Sequence, residues 1–280
     1  MKKITRGAYA LAAVDMDGTL LNSAHAITPY TRAVIARAAE AGKVVALCTG
    51  RCLSELREHL ADNVGIGYVI GENGACVYDV SARRFIRQLF LPDAVSASIL
   101  SRVSALDVCV QCFIGNQSYM EAAKKPMLSR YHIGEFESVF DAGTVFVSDI
   151  AALFARLGRA EKINLYFPEP EARDAFRRSL VGSGLRVADS VGIGLELSPA
   201  DATKAQGLEA LCAHLGIPVS ESMAVGDGGN DLDLMRAAGL AVAMGNAIDA
   251  VRALAGVTSE DCEHDGCAKA IQRYLLGENV

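Results

Sequence analysis

Residues 14–22 read VDMDGTLLN: two carboxylates, Asp15 and Asp17, stand one residue apart directly after the apolar run ALAAV at 10–14. An apolar run without alternation is what a strand covered on both faces requires. Gly18 allows a sharp turn where the chain leaves that strand, because it lacks the Cβ that disfavours left-handed backbone. Alone, an Asp after a strand is most often a turn residue or a helix cap. Two of them with no basic partner nearby need a further reason, and the rest of the chain supplies it.

Apolar strands and amphipathic helices alternate in the chain that follows this stretch. ITPYTRAVIARAAEAG (27–42) predicts a helix with Thr28 as cap, Pro29 in the first turn and Gly42 after the end. KVVALCTG (43–50) predicts a strand, RCLSELREHLADN (51–63) a helix and GYVIGENGA (67–75) a third strand. From 202 the alternation resumes with ATKAQGLEALCAHLG, SMAVGDG, NDLDLMRAAG, LAVAMG, AIDAVRALAG and DGCAKAIQRYLLG. The pattern predicts an α/β fold with a doubly wound, Rossmann-like parallel sheet. Between about 84 and 190 the texture changes to helix LPDAVSASILSRVSAL, strands DVCVQCFIG, QSYMEA and EKINLYF, helix PEPEARDAFRRSLVG and strand LRVADSV. That is an α+β insertion, so the expected core is discontinuous, 1–83 with 191–280, around an inserted domain at 84–190.

Composition narrows the function. The 280 residues carry a net charge of −6, with 51% hydrophobic and 21% charged residues. No basic excess is available to neutralise nucleic-acid or anionic-membrane phosphates, and no apolar run is long enough to span a bilayer. Lys2, Lys3 and Arg6 before AYALAAV imitate a secretory signal, but the short apolar stretch runs straight into Asp15. The chain is read as cytoplasmic. Its eight cysteines are scattered through apolar segments, as reduced buried thiols are. Cys109 and Cys112 form a C-x-x-C, yet strand alternation sends those two positions to opposite faces. CEHDGC at 262–267 lacks a second ligand group nearby for zinc.

Four polar signals fall at strand ends or helix starts, where open α/β sheets bind ligands. They are Asp15 with Asp17; Thr49 with Gly50 and Arg51; Lys204, next to the capping pattern Thr203-x-x-Gln206; and GDGGND, which supplies Asp227, Asn230 and Asp231. Carboxylates converging on one sheet edge repel unless a cation compensates. Asp15, Asp17 and Asp227 offer the hard oxygen ligands that Mg²⁺ prefers, Lys204 offers a fixed charge, and Thr49 with the following N–H groups offers donors to an anion. The combination fits a phosphate ester.

DMDGTL, TGR, the lysine and GDGGND, in this order, resemble the motifs of the haloacid dehalogenase superfamily. GENGA, KINLYF, LELSPADATK and DGCAKAI resemble its Cof-type branch, subfamily IIB, with a large inserted cap. The resemblance spans nearly the whole chain and is weakest between about 92 and 160. Ala205 stands where the family often has Gly after the motif lysine. The resemblance implies an Mg²⁺-dependent phosphatase acting on a small phosphorylated metabolite such as a sugar phosphate. It makes Asp15 the nucleophile and Asp17 the general acid and base. Mg²⁺ would be held by the Asp15 and Asp227 carboxylates and the Asp17 backbone carbonyl. Thr49, Gly50 and Lys204 would hold the phosphoryl group, with Met16, Arg51, Asn73 and Asn230 as further substrate contacts. Asn230 would also support the site from behind, and Asp231 would orient Lys204. The cap would close over the crevice and choose the substrate. The alternatives are a phosphomutase or phosphotransferase of the same fold, or a silent phosphate-ligand sensor; a silent protein would be expected to lose one of Asp15, Asp17, Lys204 or Asp227, and none is lost.

Overall fold

A computed structural model describes residues 7–61 and 65–279. Lys2, Lys3 and Arg6, and the end of the expected helix at 62–63, lie outside the described residues. The strands in chain order are β1 (Leu11–Val14), β2 (Val44–Cys48), β3 (Ile66–Gly71), β4 (Cys76–Asp79), β5 (Arg84–Gln88), β6 (Cys109–Ile114), β7 (Gln117–Glu121), β8 (Thr144–Val147), β9 (Ala160–Tyr166), β10 (Leu185–Ser190), β11 (Gly194–Pro199), β12 (Ser222–Gly226), β13 (Leu240–Ala243) and β14 (Val257–Thr258). The chain divides into two compact units, Met1–Gly50 with Glu58–Arg87 and Thr203–Val280, and Arg51–Arg57 with Gln88–Ala202.

The first unit holds an eight-stranded sheet in the order β14-β13-β12-β1-β2-β3-β4-β5. β1 pairs in parallel with β12 on one side and β2 on the other, with Val14 opposite Val225 and Leu47. Every residue of β1 is buried, as its unbroken apolar run requires. β2 and β12 run one residue beyond β1, so the residues that follow the three strands, Asp15, Thr49 and Asp227, leave the sheet along one edge. The helix Pro29–Glu40 begins where Thr28 accepts the Thr31 N–H, and it buries Thr31, Val34, Ile35 and Ala38 along one stripe. In the helix Lys204–Leu215, Gly207 permits close packing on β3, because a Cβ there would stand 2.3 Å from Ile70 Cγ2.

Some expectations differ from the structure. Residues 51–61 do not form one helix: a 3₁₀ turn at Leu53–Leu56 runs into the short helix Arg57–Ala61. The reason is tertiary, since Ser54 and Glu55 turn inward to bond distant residues of the second unit. Ser54 Oγ donates to the Gly143 carbonyl at 2.7 Å, and Glu55 Oε1 accepts from Gln111 Nε2 at 2.9 Å. β4 and β5 extend the first sheet beyond the expected strands; the β3–β4 reversal is made by Glu72 and Asn73, both left-handed with φ of 52° and 54°, followed by Gly74.

The second unit carries a six-stranded sheet, β10-β11-β9-β6-β7-β8, antiparallel except for the β7–β8 pair. One face packs Val110, Cys112, Ile163, Leu165, Leu195 and Leu197 against Ile99, Leu100, Leu153 and Phe154 of two helices. Cys109 belongs to the cluster on the other face, with Met120, Tyr131 and Tyr166. Cys109 and Cys112 thus point apart, both as free buried thiols. The expected insertion ends at 190, whereas β11 at 194–199 still belongs to this sheet, pairing with β9 and β10. LELS alternates apolar and polar residues, a pattern that fits either sheet.

Candidate active site

The β1 turn is compact. The Met16 carbonyl accepts N–H groups from Leu20 (3.0 Å) and Leu21 (2.9 Å), and Gly18 adopts a φ of 75°. Gly18 is required here for a second reason: a Cβ would lie 2.7 Å from Asp227 Oδ2. The turn therefore brings the Asp227 carboxylate against the chain that carries Asp15 and Asp17. Asp15 is buried, while the Asp17 side chain is half exposed, with His25 Nδ1 4.0 Å from its Oδ1. The Met16 side chain is packed in the core.

Lys204 is placed by its helix start. Thr203 Oγ1 accepts the Gln206 N–H at 3.1 Å, and the 72–74 turn abuts the Thr203 backbone so closely that a Cβ on Gly74 would stand 2.0 Å from its carbonyl oxygen. Only half of the expected capping box forms, since the buried Gln206 Oε1 has no hydrogen-bond partner. From this start the fully buried Lys204 Nζ donates to Asp15 Oδ1 at 2.5 Å and to Asp231 Oδ1 at 2.6 Å. Asp231 Oδ2 accepts the N–H groups of Asp227 and Gly228, both at 3.0 Å. Asp227 Oδ1 accepts from Thr19 Oγ1 at 2.8 Å. Asn73 donates its N–H to the Thr49 carbonyl at 2.9 Å and packs its amide against Gly50, and Asn230 Nδ2 reaches Asn73 Oδ1 at 3.4 Å. The first unit thus brings together Asp15, Asp17, Thr49, Gly50, Asn73, Lys204, Asp227, Asn230 and Asp231; Arg51 groups with the second unit.

Charge in this cluster is unbalanced. Carboxylate oxygens of Asp15, Asp227 and Asp231 lie within 4.8 Å of one another, and Lys204 is the cation that touches two of them. Burial pushes the Asp15 carboxyl well above the usual range; Lys204 pulls it back down, and Asp231 and Asp227 push it up again. Burial likewise raises Asp227, against the Thr19 hydrogen bond. Burial alone would lower Lys204, but Asp15 and Asp231 overcome it and hold the ammonium protonated. Asp231 gives its oxygens to the buried Lys204 ammonium and to two backbone N–H groups, whereas Asp227 meets the neutral side chains of Thr19 and Asn246, so Asp15 and Asp227 are the carboxylates better placed for a cation. A site short of positive charge and lined by hard oxygen donors fits a divalent ion of the Mg²⁺ type.

Thr19 and Asn246 also touch Asp227 and were missed by the motif reading. Both could have been found by the logic that found the others: Thr19 stands inside DGTLL, and Asn246 follows LAVAMG just as Asp227 follows SMAVG.

The sequence pattern of the haloacid dehalogenase-like hydrolases matches residues 12–271. The chain belongs to that family. It is 28% identical over 270 residues to HMP-PP phosphatase of Serratia proteamaculans (strain 568), covering 95% of this chain and 96% of that one. It is 28% identical over 269 residues to the 5-amino-6-(5-phospho-D-ribitylamino)uracil phosphatase YcsE of Bacillus subtilis (strain 168), again covering 95% and 96%. The crystal structure of a haloacid dehalogenase-like hydrolase from B. subtilis superposes with a TM-score of 0.82 at 25% identity, over 94% of this chain and 99% of that one. This family member is an enzyme of the phosphatase type. Among the described residues no helix is long and apolar enough to cross a membrane.

Proposed function

We propose that the enzyme hydrolyses the phosphomonoester of a small metabolite through an aspartyl-phosphate on Asp15. The observation that carries this reading is the buried Lys204 ammonium held between Asp15 and Asp231, beside Asp227. A carboxylate needs such compensation to approach a phosphate dianion, and a purely structural strand end does not.

In the first half-reaction an Asp15 carboxylate oxygen attacks phosphorus, the bond from phosphorus to the ester oxygen breaks, and Asp17 donates its proton to the leaving alcohol. In the second, Asp17 takes a proton from water, the water oxygen attacks the same phosphorus, and the bond to Asp15 breaks to release phosphate. Asp17 suits both proton transfers, because its half-exposed side chain meets solvent while Asp15 is buried. Thr49 and the Gly50 N–H hold phosphoryl oxygens, and Asn73 and Asn230 brace them through the Thr49 carbonyl contact. Met16 takes part through its backbone, its side chain being in the core. Asp231 orients Lys204. The Asp15 and Asp227 carboxylates, with the Asp17 backbone carbonyl, would hold Mg²⁺, which supplies positive charge against the incoming phosphate dianion.

The names of the relatives, HMP-PP phosphatase and 5-amino-6-(5-phospho-D-ribitylamino)uracil phosphatase, support a small phosphorylated metabolite as the substrate class. We assign substrate choice to the second unit and its Arg51. One face of its sheet carries Gln111, Lys162, Asn164 and Glu196, with Lys162 paired to Glu196 at 3.1 Å. The test is phosphate release from a panel of phosphorylated sugars, nucleotides and cofactor precursors, with and without Mg²⁺, for the natural chain and Asp15→Asn. Release that needs both metal and Asp15 supports the reading. Undiminished release by Asp15→Asn overturns it.

A further inference from the structure

Asn246 lies on the loop that follows β13, and its amide touches the two segments, after β1 and after β12, that would carry the cation ligands. Its Nδ2 donates to the Gly18 carbonyl at 2.8 Å and faces Asp227 Oδ2 at 3.4 Å. Its Oδ1 accepts the Cys262 N–H at 3.1 Å. That bond fixes the orientation of the amide: a peptide N–H can only donate, so Oδ1 must face Cys262 and the donor must face Gly18 and Asp227.

The loop around it is tied down. Met244 donates its N–H to the Gly226 carbonyl at 3.1 Å, Gly245 to the Glu260 carbonyl at 3.0 Å, and Ile248 to the Asp227 carbonyl at 3.0 Å. A Cβ at 245 would stand 2.7 Å from the Asp261 nitrogen, so Gly245 is what allows the 260–262 segment to clamp the loop. Asn246 is thus exposed to solvent yet held in one orientation by the Gly18 carbonyl, the Cys262 N–H and the Asp227 carboxylate.

We propose that Asn246 is a positioning residue: by bridging the Gly18 carbonyl and Asp227 Oδ2 it presets the separation of the cation-binding oxygens on the β1 turn and on the β12 end. The proposal rests on the phosphatase reading and extends it to a residue outside the family motifs quoted above. Thr19 holds Asp227 Oδ1 and Asn246 holds Oδ2, so the carboxylate plane is fixed from both edges. Removing Asn246 leaves Thr19 as a pivot about which the carboxylate can turn, and unties the Gly18 turn from it. Groups that orient metal ligands commonly change affinity by about 10- to 100-fold when lost.

The experiment titrates Mg²⁺ into the metal-free full-length protein by calorimetry, for the natural chain and Asn246→Ala, with a thermal melt of each in chelator. The expected result is a cooperatively folded variant whose Mg²⁺ dissociation constant rises by about 10-fold. In phosphate release its half-saturating Mg²⁺ should rise by a like factor, while kcat recovers at saturating Mg²⁺ and KM for the substrate changes little. If Asn246→Ala does not fold, Asn246→Gln, which keeps the amide but displaces the donor, is measured in its place with the same expectation. A merely structural role would lower the melting temperature and leave the Mg²⁺ constant alone, and that result overturns the proposal. Failure of the natural chain to bind Mg²⁺ overturns the cation reading and this proposal together, and is told apart because it appears before any substitution.

Discussion

Replacing Lys204 with Met keeps most of the volume and removes the charge, leaving Asp15, Asp227 and Asp231 to face one another. The ammonium lies 2.5 and 2.6 Å from two carboxylates. At an effective dielectric constant of about 20, each contact is worth about 6.5 kcal/mol before desolvation is counted. Burial of the ammonium offsets much of that sum, and breaking a buried pair by removing one partner typically destabilises by about 3–5 kcal/mol. That range is the expected loss near neutral pH without metal. Its pH dependence has a definite sign. Without Lys204 the folded pKa values of Asp15 and Asp227, already raised by burial, rise further above the unfolded value near 3.9, so the folded state binds more protons than the unfolded chain. Stability of the variant is therefore greatest in acid and falls as pH rises through the raised values. Acid also protonates the partners of Lys204 in the natural protein, so the gap between the two narrows. Urea denaturation in chelator at about pH 5 and about pH 8 measures this. A variant as stable as the natural chain at the higher pH, or a deficit that grows on acidification, would refute the electrostatic reasoning. Phosphate release should fall by at least about 10²–10³-fold, as when a charge-stabilising donor is removed.

Other consequences are open to test. Because burial raises both Asp15 and Asp227, protons compete with a cation there, so Mg²⁺ should raise the melting temperature more at about pH 8 than at about pH 5.5; equal shifts would show that these carboxyls do not hold the ion. Gly18→Ala, at φ 75° with its Cβ 2.7 Å from Asp227 Oδ2, should cost about 1–2 kcal/mol for the left-handed backbone alone and weaken Mg²⁺ binding measured by calorimetry. Gly74→Ala, whose Cβ would meet the Thr203 carbonyl oxygen at 2.0 Å, should destabilise by about 3 kcal/mol or more and, by shifting the start of the lysine helix, lower kcat in the folded fraction; a neutral result in both readouts would show that the helix start is not pinned there.

Much of the candidate site's placement was legible in the sequence for one physical reason. Asp15, Thr49 and Asp227 each follow an unbroken apolar run, and parallel pairing in register must bring such ends together. The Thr28 and Thr203 caps were equally visible, because a hydroxyl before a helix bonds within its own first turn. What stayed hidden depends on contacts between distant parts of the chain. Asn246 meets Gly18 across 228 residues, and Thr19 meets Asp227 across 208. The helical period at 51–63 is real, but Ser54 and Glu55 satisfy partners in the second unit, and those bonds tighten the first turn to 3₁₀. The extra strand β11 was hidden because alternation alone does not say which sheet a strand joins.

The central claim is the covalent step on Asp15, and the most direct measurement traps it. Asp17→Asn removes the base needed for the second half-reaction, whereas p-nitrophenyl phosphate has a leaving group that needs no acid for the first. Mixed rapidly with Mg²⁺ and acid-quenched, the variant should release one equivalent of p-nitrophenolate in a burst. Peptide mapping should then find a single phosphoryl group on Asp15, absent after treatment with hydroxylamine. Turnover by the natural enzyme together with no burst and no phosphorylated Asp15 in the variant would contradict the aspartyl-phosphate mechanism and point to direct attack by water.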